Sequence, residues 1–217
     1  MSTPRKRIIY AAAQIFGRKG YKAATVREIC HAARVNLASV NYYFGNKEAL
    51  YRTVVANLLE RAIERYPADL GMGSGLGPEA RLALFIRAIL FRLLKLEGLS
   101  GFHGQGRLLA RELADPSPVL DDLVQDHIGP QAAIMGGIIA EIIGPRVSKE
   151  AIMHCTFSIM GQCFYYGYAW PITTRLHPMD LADESVIEKL ADHIAAFSLN
   201  ALKGLGASKF SKGEPDA

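Results

Sequence analysis

The 217-residue sequence predicts an all-α protein, with a short N-terminal domain and a larger C-terminal helical domain. Apolar residues recur at the three- and four-residue spacing of amphipathic helices, and no segment shows the alternation that is typical of a β-strand. Capping residues, glycines and prolines divide this pattern into separate helices. A glycine-rich interruption at residues 71–78 separates the two halves of the chain.

Capping signals delimit the first two helices. A hydroxyl residue precedes Pro4, which is a typical first position of a helix, and Gly20 is expected to end that helix as a left-handed cap. A capping box of the form T-x-x-E, from Thr25 to Glu28, predicts a second, short helix that ends near Ala33.

A turn and two further helices follow. Residues 34–36 are predicted to form the turn and residues 37–43 a very short third helix, while Asn46 caps a fourth helix that Pro67 ends. Two short helices that are joined by a turn and braced by a flanking helix have helix-turn-helix geometry, although an ordinary helical hairpin shows the same pattern. We predict this domain at residues 1–47 and a connecting helix at residues 48–70.

The charge distribution points to the same end of the chain. Residues 1–47 carry nine basic side chains and one acidic one, a net charge of +8, while the whole chain has +4, so the remainder carries −4. A basic head on an acidic body is typical of nucleic-acid-binding modules, although a solvated basic face explains the charge equally well.

The rest of the chain shows a helical pattern only. The predicted helices cover residues 79–97, 105–114, 117–143, 148–170 and 183–203. Gly129-Pro130 is expected to kink or break the third of them, and Ser148 to cap the fourth. These helices define a ligand-binding and dimerisation domain at residues 71–204, followed by a flexible tail at residues 205–217.

Several classes of function lack their signatures in this sequence. No segment reaches the ~18 apolar residues of a membrane span, and no signal peptide is evident. The six histidines form no H-E-x-x-H motif and no phosphate-binding loop occurs, so we predict no enzymatic activity, no metal and no cofactor.

The three cysteines do not have the even number and regular spacing of a disulfide framework, which suits a reducing cytoplasm. A redox sensor that uses Cys155 and Cys163 is the alternative, but no basic neighbours in the sequence lower the pKa of these thiols.

Four motifs follow one another between residues 8 and 51. They are A-x-x-x-F-x-x-x-G-Y from Ala12, T-V-x-x-I from Thr25, A-x-V from Ala33 and Y-Y-F-x-N-K-E-A-L from Tyr42. Together they resemble the DNA-binding domain of TetR-family regulators. The sequence departs from the family pattern at Arg34, where the family usually has glycine, and at Asn41, where many members have tyrosine. Arg34 requires either a changed turn or a positive φ.

The C-terminal half has a resemblance of its own. The strings HIGPQAAIMGGIIAEIIG, FSIMGQCFYYGYAWP and LADHIAAFSLNALKG are similar to the CerR/CecR type of TetR-family ligand domain. Such regulators are implicated in sensing foreign compounds and in controlling export or detoxification. The two resemblances together imply a cytoplasmic, homodimeric, ligand-responsive repressor that an effector releases from a palindromic operator, but they do not identify the effector.

The family resemblance places the third helix in the major groove of operator DNA. The residues that it implies for DNA binding are Thr25, Asn36, Leu37, Ala38, Asn41, Tyr42, Tyr43 and Lys47. Asparagine can bind adenine N6 and N7 together, apolar side chains can pack on thymine methyl groups, and tyrosine, threonine and lysine can bind phosphates. Packing of one tyrosine against the first helix, and a capping role alone for Thr25, are the structural alternatives. We expect Phe16, Ile29, Val40 and Phe44 to be core residues.

The resemblance also implies that the last two long helices form a dimer surface, as a four-helix bundle across a two-fold axis. The residues that we expect in it are Cys155, Ile159, Gln162, Cys163, Tyr166, Leu190, Ile194, Phe197 and Ala201, with Gly161 allowing close approach. Two DNA-binding domains are then expected to reach half-sites ~34 Å apart.

Aromatic and methionine residues are concentrated in the predicted ligand domain. The residues that we expect to bind an apolar or aromatic effector are Phe91, Phe102, His103, Arg107, Met135, Phe157, Phe164, Tyr165 and Tyr168. Core packing explains the same residues equally well. Arg107 or Arg111 can recognise an anionic group, and pairing with Glu112 or Asp115 is the structural alternative.

Overall fold

A computed structural model describes residues 3–70, 75–95, 106–145, 147–181 and 183–207 of the chain. These residues form α-helices with short connections and contain no β-strand, which confirms the all-α prediction. The helices are α1 (Pro4–Ala23), α2 (Val26–Ala33), α3 (Leu37–Phe44), α4 (Lys47–Arg65), α5 (Pro78–Leu94), α6 (Gly106–Ala114), α7 (Leu120–Leu123), α8 (Gly129–Ile143), α9 (Lys149–Tyr168), α10 (Trp170–Leu176) and α11 (Glu184–Ala207). Within the described ranges, no helix has both the length and the apolar character needed to cross a membrane.

The predicted capping signals at the N-terminal end are present. The Thr25 side chain accepts a hydrogen bond from the Glu28 amide and the Glu28 side chain accepts one from the Thr25 amide, so the capping box is complete. Gly20 has the positive φ that was predicted (77°), but with ψ 174° it is not a left-handed helical cap, and it interrupts α1, which continues to Ala23. Arg34 ends α2 in the left-handed conformation, with φ 53° and ψ 53°, so the positive φ is the one of the two predicted outcomes that the structure shows.

Contacts between helices group the chain into two compact units. The first contains α1 to α3, α4 as far as Glu64, α6 and α7, while the second contains α5 and α8 to α11. The division predicted from the sequence placed both α5 and α6 in the C-terminal domain. The difference arises because the buried residues Leu108 and Leu109 belong to a helix that packs against α1.

The second unit is built around α5. Ten of its 17 residues are buried, Arg92 among them, and the helix packs against α8, α9 and α11. A helix that is buried over most of its surface is typical of the centre of a helical domain, and only residues of its N-terminal half, Arg81 among them, and Arg87 remain partly exposed.

The predicted disruption at Gly129-Pro130 is confirmed. A π-helical segment, Val124–Ile128, separates α7 from α8 immediately before this pair. Proline has no N–H group and its ring clashes with the carbonyl four residues earlier, so a regular α-helix cannot continue through this position. The helix α10 was not predicted, because the helical pattern was taken to end at Trp170, although Pro171 suits the first turn of a new helix.

Candidate functional site

The N-terminal unit presents one short helix almost entirely on its surface. α2 and α3 have eight residues each and are joined by the turn at residues 34–36. Val40 is the one buried residue of α3, so the other side chains of this helix lie at least partly outside the core. A helix that is held by one buried residue and by its caps can enter a DNA groove without losing its packing.

The eight predicted DNA-binding residues lie at the N-terminus of α2, on or next to α3, and at the start of α4. Seven of them are exposed, and Lys47 is half-buried. Most of these side chains are therefore accessible on the surface of the N-terminal unit.

The two asparagines of this region differ in what their side chains can bind. Asn36 is the N-cap of α3, and its Oδ1 accepts hydrogen bonds from the Ser39 amide at 2.9 Å and the Ser39 hydroxyl at 2.8 Å. Asn41 is exposed, and its side-chain amide has no hydrogen-bond partner among the described residues. Bidentate recognition of adenine needs both the oxygen and the nitrogen of the amide, which are both available at Asn41.

The tyrosines of α3 point away from the core. Tyr42 is 83% exposed and Tyr43 is 38% exposed, with their rings 5.0 Å apart in an edge-to-face arrangement.

Three of the four predicted core residues of this unit, Phe16, Ile29 and Val40, are buried. Phe44, which was also predicted to be core, is only half-buried, because it closes α3 at the surface, where the Arg5 guanidinium lies 5.5 Å from its ring centre.

Two predicted phosphate contacts already have partners in the protomer. The Thr25 hydroxyl accepts from the Glu28 amide and donates to Glu28 Oε2, at 2.9 Å. Lys47 Nζ donates to the Lys22 carbonyl at 3.3 Å and lies 4.5 Å from the ring centre of Tyr21. Burial lowers the pKa of Lys47. Phosphate binding by Lys47 would compete with these contacts.

The structure also brings together basic residues that the sequence analysis treated only as a diffuse charge. A surface groove of about 510 Å³ along α1 and the end of α2 is lined by residues that include Lys6, Arg7, Tyr10, Gln14, Arg18 and Arg34. Tyr10 is exposed. The spacing of Arg7, Gln14 and Arg18 on one helical face was the available signal.

The predicted effector residues are divided between interior and surface. In the second unit Phe91 and Met135 are buried and Phe164 and Tyr168 are half-buried, whereas Phe157 is 61% exposed and Tyr165 is 52% exposed. Phe157 and Tyr165 do not reach the interior because the buried side of α9 is formed by Thr156, Ile159, Cys163 and Gly167. Phe102 and His103 lie outside the described residues, as does the side chain of Arg107 on α6.

Arg111 has a structural role that differs from both predicted alternatives, which were binding of an anionic group and pairing with Glu112 or Asp115. Its Nε donates to the Gly17 carbonyl at 3.0 Å and its Nη2 donates to the Arg18 carbonyl at 2.6 Å, so it binds the end of the first part of α1. Glu112 instead accepts from Tyr51 and Ser117, and Asp115 pairs with Lys22. Binding of an anion by Arg111 would therefore have to use its remaining nitrogen, Nη1, or compete with these contacts.

A different arginine, which the sequence analysis did not consider, lies inside the second unit. Arg92 on α5 is only 6% exposed. Its Nε donates to the Tyr66 carbonyl at 2.7 Å and its Nη1 donates to Gln131 Oε1 at 2.9 Å, while its Nη2 is buried without a partner. Burial lowers the pKa of Arg92 to about 10. A charged residue in the apolar run from Leu90 to Leu94 was the signal in the sequence.

The predicted dimer surface needs correction at three positions. Ile159, Cys163 and Ile194 are buried within the protomer, because they lie on the sides of α9 and α11 that face its own core. Cys155, Gln162, Tyr166 and Leu190 are half-buried, and Ala201 and Phe197 are exposed. Burial raises the pKa of Cys155 and raises that of Cys163 to about 12, which disfavours the thiolate that a redox sensor needs.

The exposed side of the same two helices is also apolar. Phe157, Gly161 and Tyr165 follow one another at four-residue spacing on α9, and Phe197 on α11 is 60% exposed. A shallow groove of about 370 Å³ runs between the helices, lined by Gly161, Gln162, Tyr165, Tyr166, His193 and Ile194. Exposed apolar surface of this kind marks an interaction site more often than a free surface.

Comparisons with known families match both parts of the chain. The model described as bacterial regulatory proteins, tetR family, matches residues 8–54. The model described as the C-terminal domain of the HTH-type transcriptional dual regulator CecR matches residues 78–202, which is more than half of the chain.

Individual relatives cover nearly the whole length. The HTH-type transcriptional regulator RutR from Escherichia coli (strain K12) is 23% identical over 207 residues, which are 94% of this chain and 92% of the relative. The structure of AibR in complex with isovaleryl coenzyme A and operator DNA has a TM-score of 0.63 at 15% identity, over 90% of this chain and 97% of that chain. The regulator FadR from Bacillus subtilis in complex with stearoyl-CoA has a TM-score of 0.65 at 20% identity, over 88% of this chain and 97% of that chain. These structural similarities show a shared fold.

Proposed function

The chain belongs to the TetR family of transcriptional regulators and has a C-terminal domain of the CecR type, and from this premise we propose that it is a repressor, which binds a palindromic operator as a homodimer and is released by a small effector. Members of this family are DNA-binding regulators and not enzymes. We place its action in the cytoplasm, where bacterial regulators of this kind meet DNA.

The exposed face of α3 carries this proposal. Asn41 and Tyr42 project from a helix that is fixed by the single buried residue Val40 and by the Asn36 cap. In our proposal α3 lies in the major groove, Asn41 reads a base edge, and the tyrosines, together with the N-terminus of α2, bind phosphates. The basic groove along α1 adds a contribution that is independent of sequence and weakens with salt.

Dimer formation is supported by the exposed apolar face of α9 and α11. We propose that a second copy of the chain covers Phe157, Tyr165 and Phe197, with Gly161 at the closest approach of the helices, where a Cβ atom would meet no atom within 4 Å in the protomer. Phe157 and Tyr165 thereby move from the predicted effector site to the proposed dimer surface. One helix-turn-helix contacts too little DNA for tight binding, so two half-sites are required.

A small apolar or aromatic effector is supported by the interior of the second unit. Phe91 and Met135 are buried there, and the ring centres of Phe164 and Tyr168 lie 5.8 Å apart in an edge-to-face arrangement. Two solved structures of the same fold contain acyl-coenzyme A ligands, which have apolar chains. The effector is proposed to favour a dimer conformation whose half-site spacing no longer fits the operator.

The proposal is tested by measuring binding of the full chain to its own upstream DNA, by fluorescence anisotropy at several salt concentrations. We expect Asn41→Ala to weaken operator binding by at least about thirtyfold, because each of the two half-sites loses a bidentate base contact that contributes about 1–3 kcal/mol, and to leave binding to random DNA unchanged. The exposed residue Glu60, far from α3 on α4, provides the control variant Glu60→Gln. Equal binding of wild type to both DNAs, or one protomer per operator in sedimentation, would contradict the proposal.

A further inference from the structure

Three buried side-chain polar atoms have no hydrogen-bond partner among the described residues, namely Arg87 Nε, Arg92 Nη2 and the Tyr168 hydroxyl. All three lie in the second unit, on α5 and α9, which pack against each other. Each of the three can donate a hydrogen bond, and none is a carboxylate or carbonyl oxygen. Buried polar groups of folded proteins are normally paired, so each of these donors can take an acceptor from outside the described side chains.

Arg92 differs from two other arginines on the same helix. Arg81 pairs with Glu141 at 2.9 Å, and Arg87 pairs with Glu188 at 3.0 Å through its Nη2, so the charge of each is compensated. The hydrogen-bond partners of Arg92 are the neutral carbonyl of Tyr66 and the neutral amide of Gln131, and its guanidinium carbon lies 6.0 Å from the ring centre of Phe85. No carboxylate of the described residues forms an ion pair with Arg92, although Arg92 is also the most buried of the three.

A buried charge without an ion-pair partner destabilises a protein until a group of opposite charge binds to it. Removal of a guanidinium from water costs several kcal/mol, and neutral hydrogen-bond acceptors recover only part of this. The pKa of about 10 still keeps Arg92 charged at neutral pH.

We propose that the effector of this regulator carries an anionic head group, a carboxylate or a phosphate, which binds the buried Arg92 guanidinium in the C-terminal unit. The inference deepens the proposed function and rests on its claim that this unit binds an effector. Nη2 has no hydrogen-bond partner and Nη1 has one hydrogen beyond its bond to Gln131, so the guanidinium retains donors for an anion oxygen. The effector is therefore an amphiphile, with an apolar or aromatic body and a charged end.

The experiment compares ligands that differ only in the head group. Octanoate, octyl phosphate and octanamide are titrated into the full chain by calorimetry at constant ionic strength. We expect at least one of the two anions to bind at least tenfold more tightly than the amide, since hydrogen bonds to charged groups contribute about 1.5–3 kcal/mol. The anion that binds more tightly identifies the head group as a carboxylate or as a phosphate.

The variants assign the effect to the side chain. In Arg92→Gln the preference for the anion is expected to fall at least tenfold, and Arg92→Lys, which keeps the charge without the planar fork, is expected to be intermediate. Arg81→Gln, on the same helix but paired with Glu141, is the matched control and should bind the anions like wild type. If the amide binds as well as the anions, if none of the three compounds binds, or if Arg92→Gln and Arg92→Lys both bind anions normally, the proposal is wrong.

Operator binding, measured in the same samples, separates this inference from the proposed function. Release of DNA by octanamide alone would support the apolar effector and contradict the anionic head group. Binding of an anion that depends on Arg92 but leaves operator binding unchanged would support the anion site and contradict release by the effector.

Discussion

The two units bury polar groups in opposite ways. In the N-terminal unit, the buried carboxylate of Glu112 accepts from the Tyr51 hydroxyl at 2.6 Å and from the Ser117 amide and hydroxyl at 2.9 and 2.8 Å. In the C-terminal unit, the buried guanidinium of Arg92 has neutral partners and one unpaired nitrogen. The first cluster is complete within the protomer, and the second is not.

This difference separates a structural cluster from a binding site. A carboxylate with three donors needs no further partner, and it joins α4, α6 and the segment that precedes α7. Burial and the bond to Glu112 raise the pKa of Tyr51, so its hydroxyl keeps the proton that it donates. A cation with free donors is costly in the free protein, and the cost is recovered only when a ligand binds.

The largest expected effect on stability comes from removing the Glu112 carboxylate, which accepts all the hydrogen bonds of its cluster with Tyr51 and Ser117. Glu112→Ala leaves three buried donors unpaired, so we expect the free energy of unfolding to fall by about 3–5 kcal/mol in urea titrations. Leu113→Ala, at the exposed neighbouring position of α6, is the control and should change it little. Arg92→Gln is expected to lose less than Glu112→Ala. Equal losses at Glu112 and Arg92 would remove the distinction between the two clusters.

A smaller effect is expected from removing one donor of the same cluster. Tyr51→Phe deletes the hydroxyl but leaves Glu112 its two bonds from Ser117, so the loss should be about 1.5–3 kcal/mol. Tyr10→Phe removes the same atom from an exposed ring and should change the free energy of unfolding by less than about 0.5 kcal/mol. If both variants were equally stable, the hydrogen bond from Tyr51 would not stabilise the cluster.

Local signals allowed the N-terminal elements to be predicted closely. The capping box predicted the start of α2 at Val26, and the positive φ of Arg34 was one of two outcomes that its place in the turn allowed. These features depend on residues within four positions of one another, so the local sequence determines their geometry without help from tertiary contacts.

Features that depend on distant residues were not accessible in this way. Helix α9 is apolar on several sides, so periodicity could not distinguish the core side with Ile159 and Cys163 from the exposed side with Phe157 and Tyr165. The lack of an ion-pair partner for Arg92 could not be predicted from the sequence either, because it depends on which residues of α8 and α9 pack against α5. For Arg111 the sequence left open an anionic ligand or a nearby carboxylate, but its partners are carbonyls 94 and 93 positions away.

The smallest effect is expected at an exposed cluster, where solvent competes with every contact. Hydrogen bonds from Lys19 and from the Thr25 side chain and amide lower the pKa of Glu28 to about 2. Because this pKa lies below the value of an unfolded chain, the stabilisation is present above about pH 4.5 and is lost as the pH falls toward 2.

The measurement is the urea midpoint of wild type and Glu28→Gln between pH 7 and pH 3. We expect wild type to be slightly more stable at pH 7 and the difference to shrink steadily below pH 4.5, since protonated Glu28 and glutamine both lack the charge that binds Lys19. Glu60→Gln, an exposed glutamate of α4, shows the effect of removing a carboxyl that caps no helix. A difference that stays constant down to pH 3 would mean that the capping box stabilises α2 through its shape alone, with no contribution from the charge of Glu28.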